Sequence, residues 1–438
     1  MENWKKLKEL ACREIDHRGE ELIAFGTDIW NHPETGYCEF RTARAAAEKL
    51  ESFGIEVRRD LALTGFRGDL KTGRKGPVVA LLGEMDALHL PSHPEADPRT
   101  GAVHACGHNA HITALVGAAA GLSAAGVLDS CSGTVALVGV PAEESLDAAR
   151  AEELRSAGKI HFTSGKAELI RCGAFDDVDI AMMNHAGGSF CVADFNGYLL
   201  KEVTFHGKSV HAASPDQGIN AMNALQLALH ALALTGDRWT SEPNLRMHGI
   251  VTGAGDAVNI VPDRASLTWM LRADTPERLH RMSSLFDQAV NGSAYALGAR
   301  CEITTRHGCS PLKNSDALCE IYRRCVEELL PGAHAKIKEF FIPGSTDMGD
   351  LSRIVPVLHG YFPGCAGACH SRDFRIADRE KAYLLSSKLL ACMTLELLAG
   401  NAETGTRIAR EKTEKLSIPE YRKEISSFET HTVFPPEE

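Results

Sequence analysis

Three short apolar runs constrain this fold more than any other feature of its 438 residues. Residues 77–82, 133–140 and 178–183 are near-continuous stretches of Val, Leu, Ile, Ala and Met. Runs of that length read as strands buried on both faces, which is how a parallel sheet covered by helices is written in sequence. Each run ends in polar residues: Gly-Glu-Met-Asp-Ala-Leu at 83–88, Pro-Ala-Glu-Glu at 141–144, and Asn184-His185. In open α/β sheets, sites collect along the carboxyl edge of the strands. Three strands are therefore expected to deliver Asp86, the pair Glu143 and Glu144, and His185 to one rim.

Between the first two runs lies His-Ala-Cys-Gly-His-Asn-Ala-His at 104–111, three histidines and a cysteine in eight residues. Cys106 and His108 are two apart, so in extended backbone both side chains leave on the same side. A thiolate beside an imidazole suits a borderline-soft divalent ion such as zinc or manganese. Taken singly, each residue also reads as a core cysteine or a satisfied histidine; the concentration of four around Gly107 favours a metal corner. The spacing is not that of a zinc finger, because no second cysteine pair follows at the required interval. Other ligands must come from far along the chain. An alanine-rich helix over 110–125 follows directly.

The net charge of −11 and the lack of a basic tract interleaved with aromatics argue against a nucleic-acid partner. No apolar stretch reaches membrane length. The first 25 residues are too charged for a signal peptide; Trp4, Leu7, Ala11 and Ile15 step as an amphipathic helix. Thirteen cysteines without framework spacing fit free thiols in a reducing compartment, so a cytoplasmic location is expected.

At this length two domains are the default. From about Phe195 the texture changes. Strand (198–205), helix (219–234), two strands (245–251 and 265–271), helix (276–297) and strand (301–305) have the order and size of a ferredoxin-like α+β insert. The first texture then resumes, with helices over 318–330 and 379–398. The expected division is a discontinuous catalytic domain (1–194 and 311–400), an inserted domain (195–310) and a charged extension (401–438) without a strong core pattern, lying on the surface.

In order along the chain, these motifs together with Gly-Lys-Ser-Val-His at 207–211, Asn-Ile-Val-Pro-Asp at 259–263, Gly-Ser-Thr-Asp at 344–347 and Cys-His-Ser at 369–371 resemble the dinuclear metal-dependent amidohydrolases of the aminoacylase and carboxypeptidase G family. The match is nearest to the subgroup of p-aminobenzoyl-glutamate hydrolase and related dipeptidases, and it spans the chain to about Gly400. The resemblance implies a mixed-sheet, zinc-exopeptidase-like α/β catalytic domain with the insert as a lid that pairs in a homodimer. It implies two divalent ions, zinc or manganese, on Cys106, His108, Glu144, His185 and His370, with Glu143 as general base. It implies that His211 reaches a partner's site as oxyanion donor. Asn259 and Arg272 match substrate-contacting positions, Arg272 as a clamp for a terminal carboxylate. Asp86 is expected to orient a ligand from behind. Ser345 and Thr346 are candidate substrate contacts that a plain turn explains equally well, as a loop histidine explains His211 and a strand-end arginine explains Arg272. His111, one turn into the helix, reads as a core or supporting histidine; His104 fits either role.

The resemblance breaks in two places. Glycines normally follow the paired glutamates closely, whereas here residues 145–164 intervene, with helical character over 146–154. Asn109 stands where many relatives carry Asp. The expected function is hydrolysis of an amide in a small N-acyl amino acid, dipeptide or aroyl-glutamate. Two other readings remain: a non-catalytic metal-binding partner of an unlike chain, and a hydrolase using Cys106 as nucleophile with His108 as base.

Overall fold

The three apolar runs form the strands Val78–Glu84, Thr134–Val140 and Ile180–Ala186, and they pair in parallel. The computed structural model describes residues 2–435 apart from Ser145, Thr240 and Pro243. The three strands sit inside an eight-stranded mixed sheet. Its order is Val57–Leu61, Gly65–Lys71, Thr134–Val140, Val78–Glu84, Ile180–Ala186, Val357–Phe362, Cys191–Phe195, Lys336–Ile342. Parallel register sets Glu84 opposite Val140 and Ala186 opposite Phe362, so the carboxyl ends of these strands are level. Every residue of Ile180–Ala186 is buried, as strands covered on both faces require.

The helix expected after the octet runs His108–Ser123, and His108 through Leu122 are all buried. It packs against Glu2–His17, Gly19–Asn31 and Ser386–Leu398. The amphipathic stripe at the start of the chain behaves as its spacing predicts, with Leu7, Ala11 and Ile15 buried. Two helices stand where one opening helix was expected, Glu2–His17 and Gly19–Asn31.

The chain divides into two compact units. One comprises Met1–Asp194, Lys313–Phe340 and Asp350–Ile418; the other comprises Phe195–Leu312, Phe341–Gly349 and Pro419–Glu438. The second unit holds a five-stranded antiparallel sheet in the order Arg246–Gly253, Arg264–Ala273, Gly197–His206, Arg300–Cys309, Thr430–Phe434. Its first four members have the strand order of a ferredoxin-like fold, with the helices Ala221–Leu234 and Pro276–Ala296 packed on it. Gly197–His206 alternates strictly between buried and half-buried positions.

The fifth strand departs from expectation. The extension after Gly400 was expected to lie on the surface, yet it forms the helices Glu403–Ala409 and Ile418–Phe428 and then the strand Thr430–Phe434. Tyr421, Ile425 and Phe428 are buried at i, i+4 and i+7, a helical stripe hidden among charged neighbours.

Candidate metal centre

Asp86 follows the Val78–Glu84 strand by two residues, level with the end of Thr134–Val140, where the chain turns through Pro141 and Ala142. Ala142 has φ +42°, a left-handed conformation that costs a non-glycine residue about 1 kcal/mol or more. Glu39 holds that turn: its Oε1 accepts the Ala142 N–H at 2.7 Å, while Thr64 donates to Oε2 at 2.6 Å. Asp86 then braces two elements at once. Its Oδ2 accepts the Glu144 N–H at 2.9 Å, and its Oδ1 lies 3.0 Å from His108 Nδ1.

The octet bends at Gly107, φ +80°, immediately before the helix. A Cβ at that position would lie 2.4 Å from the Ala186 Cβ, so glycine is required both by conformation and by space. This bend lets Cys106 face the end of the Ile180–Ala186 strand. His185 Nδ1 lies 2.9 Å from the Ala186 carbonyl oxygen, and its Nε2 lies 3.5 Å from Cys106 Sγ. From the far end of the unit, His370 (φ +63°) donates its N–H to the Ala105 carbonyl at 2.9 Å and sets Nε2 3.3 Å from Glu144 Oε1.

Cys106, His108 and Glu144 each present a donor atom, all within 4.8 Å of one another. His185 and His370 join through Cys106 and Glu144 respectively. Each of the five side chains that the resemblance implies as ligands thus lies close to at least one other of the five. Glu143 stands beside them with Oε2 4.0 Å from His108 Nε2. Among the described residues, His108 Nε2 and Glu144 Oε1 are buried and make no hydrogen bond. Burial works to lower His108, but Glu84, Asp86 and Glu144 outweigh it and hold its pKa well above the ordinary imidazole value. An unbonded ring nitrogen facing carboxylates is a place that takes up a cation, and the thiol, imidazole and carboxylate donors suit a divalent metal. The residues present fit such an ion.

His185 is pushed down to about 4 by burial, so it offers a neutral lone pair at neutral pH. The Cys106 thiol is pushed well up by its contact with Cys369, by burial and by Glu144. That is the opposite of what an activated thiol nucleophile needs, and the nearest imidazole nitrogen bonded to its sulfur belongs to His185, not His108.

Glu84, His108, His111 and His185 also bring donor atoms within 4.8 Å of one another, but His111 already has a hydrogen-bond partner for each ring nitrogen. The Ala186 N–H donates to its Nε2 at 2.8 Å, so the proton of the neutral ring sits on Nδ1, which donates to Glu84 Oε2 at 3.0 Å. Both nitrogens are engaged. Asn109 donates through Nδ2 to Gly26 O and Tyr383 Oη, which places it in the helix packing. His104 is buried and pushed down to about 3 by burial and then by His108.

The remaining candidates lie in the second unit. His211 and Asn259 are neighbours: His211 bridges Ile260, and Ala212 N–H donates to Asn259 O at 2.9 Å. His211 Nδ1 accepts from the Ala213 N–H at 3.0 Å, so its neutral ring carries the proton on Nε2. Arg272 donates to Ser345 Oγ at 2.8 Å and lies over the Tyr198 ring. Thr346 is buried, and its Oγ1 accepts the Met348 N–H at the start of the helix Met348–Ile354.

The residues that sequence reasoning passed over support the centre from beneath. They are Glu39, Glu84 and Lys166, all fully buried. Glu84 carried a signal, a carboxylate closing an apolar strand; Glu39 and Lys166 carried none. The intervening segment is a closed excursion. Helix Ala148–Ser156 is capped by Asp147, Leu154 and Ile160 pack on Tyr37 and Ala142, and Gly165 N–H returns to the Ala142 carbonyl at 2.9 Å. Ser145 lies outside the described residues.

An α/β sheet whose strand ends carry a thiol, imidazoles and paired carboxylates defines a metal-dependent hydrolase. The chain belongs to peptidase family M20/M25/M40, whose model matches residues 80–396, and it is a metal-dependent hydrolase of amide bonds. It is 29% identical over 424 residues to the Xaa-Arg dipeptidase of Mus musculus, covering 90% of this chain and 89% of that one. To a component chain of the p-aminobenzoyl-glutamate hydrolase of Escherichia coli it is 30% identical over 297 residues, 64% of this chain and 57% of that one. It shares its fold with a Bacillus subtilis dinuclear metal-binding peptidase of the M20 family, with TM-score 0.67 and 21% identity over 86% of this chain and 98% of that one.

Proposed function

We propose that this chain hydrolyses the amide bond of a dipeptide, N-acyl amino acid or aroyl-glutamate, at two divalent ions held by Cys106, His108, Glu144, His185 and His370. The observation that carries this reading is the convergence of those five side chains around the unbonded His108 Nε2 and Glu144 Oε1. Zinc or manganese suits the mixed donor set. Bound there, the ions polarise the scissile carbonyl and acidify a water. Glu143 takes the proton from that water and returns it to the departing nitrogen. Asp86 keeps His108 and the Glu144 backbone in place for this.

In the same reading the first unit is the catalytic domain and the insert is a lid. Arg272, with Asn259, Ser345 and Thr346, contacts the substrate, Arg272 meeting its terminal carboxylate. Small amides are supported by the relatives named above. Two copies pair through the insert, whose outer strand Arg246–Gly253 carries Ile250 and Val251 exposed at 61% and 46% on an open edge. His211, with its proton on Nε2, then donates to the oxyanion in the partner's site. Thirteen free cysteines support a cytoplasmic home; no helix among the described residues is long and apolar enough to cross a membrane.

The test is metal-reconstituted protein against dipeptides, acyl-amino acids and p-aminobenzoyl-glutamate, with products identified by mass. Glu143→Gln is expected to lose on the order of 10²–10⁴ in kcat while binding the same amount of metal; full activity in that variant would remove Glu143 from the mechanism. Mixed dimers of His211→Ala with Glu143→Ala chains regain activity if sites are shared, and none if each site is complete within one chain.

A further inference from the structure

Beneath the proposed ligands lies a chain of buried polar groups that the hydrolytic reading leaves without a task. Glu84 and Lys166 both have fully buried side chains, and Lys166 Nζ lies 2.5 Å from Glu84 Oε1. Glu84 Oε2 accepts the Nδ1–H of His111, and His111 Nε2 accepts the Ala186 N–H. The carbonyl of the same Ala186 meets His185 Nδ1, which turns His185 Nε2 toward Cys106. A continuous strut therefore runs from Lys166 to the imidazole of a proposed ligand.

Glu84 also endangers the centre it supports. Its Oε2 lies 3.3 Å from His108 Nε2, the atom left unbonded for an ion. A carboxylate there competes for the same cation unless something holds both of its oxygens back. His111 engages Oε2, and Lys166 engages Oε1. The backbone just before Lys166 is closely packed: a Cβ on Gly165 would lie 1.6 Å from the Pro141 carbonyl oxygen. Gly165 N–H is bonded to Ala142 O, next to Glu143. The lysine is thereby fixed to the strand end that carries the paired glutamates.

We propose that Lys166 is a positioning residue of the metal centre, holding Glu84 as the base of the His111–Ala186–His185 strut and keeping it from becoming a ligand. This rests on the metal reading given above. The strut needs only an acceptor at position 84, which an amide oxygen also supplies; the lysine is needed because the acceptor is an anion.

Cobalt(II)-substituted protein tests this, through the ligand-field and thiolate-to-metal absorption bands, metal stoichiometry and kcat. Lys166→Met is expected to shift the cobalt ligand-field bands as Glu84 enters the coordination shell and the strut to His185 loosens, while Lys166→Arg keeps the wild-type bands. The double variant Lys166→Met/Glu84→Gln removes both charges and is expected to regain the wild-type spectrum; it decides the matter even if Lys166→Met does not fold. A wild-type spectrum in Lys166→Met, or an altered one in the double variant, overturns the proposal while leaving the metal reading intact. Wild-type protein lacking a thiolate-to-cobalt band overturns the metal reading and this proposal together.

Discussion

The two sheets of this molecule are built on opposite terms. The eight-stranded sheet has central strands buried at every position but the first of two of them, and the candidate ligands lie at and beyond the strand ends. The five-stranded sheet buries one face only: Gly197–His206 alternates along its length, and the outer strand Arg246–Gly253 leaves most positions exposed. In the centre of the first sheet, burial on both faces makes nearly every strand position a packing position and leaves the rim for reactive groups. In the second, the face and the open edge are themselves usable surface. The hydrolase thus keeps its candidate ligands at the rim of one sheet and leaves an edge of the other exposed.

Core truncation probes the contrast most directly. Leu137, fully buried in Thr134–Val140, is flanked by Gly68 and Leu81. Leu137→Ala is expected to cost about 2–5 kcal/mol in chemical denaturation. Ile250→Ser on the open edge is expected to change unfolding by less than about 0.5 kcal/mol and instead to weaken self-association in sedimentation. Equal destabilisation by the two would erase the distinction.

A smaller effect should follow pH. Glu39 is pushed up to about 8 by burial and then by Asp86. Between its ordinary value of 4.5 and 8, the folded chain keeps a proton that the unfolded chain has released. Its contribution to stability therefore falls as pH rises through that window. Metal-free Glu39→Gln should gain on the wild type by at least about 1 kcal/mol between pH 5 and 8, measured by urea titration at each pH. A constant difference would place Glu39 outside this account.

The mildest contrast is between thiols. Exposed Cys369, beside the centre, is pushed down to about 7, first by its hydrogen bond with Cys106 and then by His370 and His108. Cys301, buried in the insert's sheet, is pushed up to about 12 by burial. Peptide mapping after brief iodoacetamide treatment of metal-free protein should find Cys369 alkylated and Cys301 untouched, with the Cys369 rate rising through pH 7.

What the sequence made legible followed from pattern strength. Continuous apolar runs locate three central strands within three residues at either end, and the ferredoxin-like order of the insert follows from its alternation and turn spacing. Cys106, His108, Glu144 and His185 were readable as a cluster because strand ends and an unusual octet converge on one edge, whereas His370 was named only through the family resemblance. Thr430–Phe434 was not readable: its five residues sit in a charged tail, and only pairing with Arg300–Cys309 makes them a strand. Lys336–Ile342, at one edge of the large sheet, was missed for the same reason, and Cys191–Phe195 beside it because five residues that include an aspartate make too short a pattern. Lys166 and Glu39 were invisible because a lone charged residue in sequence reads as surface, and only the fold reveals the partners that let it be buried.

The excursion over residues 145–164 leaves and rejoins the site at almost the same point, since Gly165 is bonded to Ala142. A segment whose two ends already meet can be lengthened, shortened or replaced without shifting what it departs from. The loop nevertheless contributes to the floor it closes on, since Leu154 and Ile160 bury Tyr37 and Ala142 and Tyr37 donates to the Phe162 carbonyl.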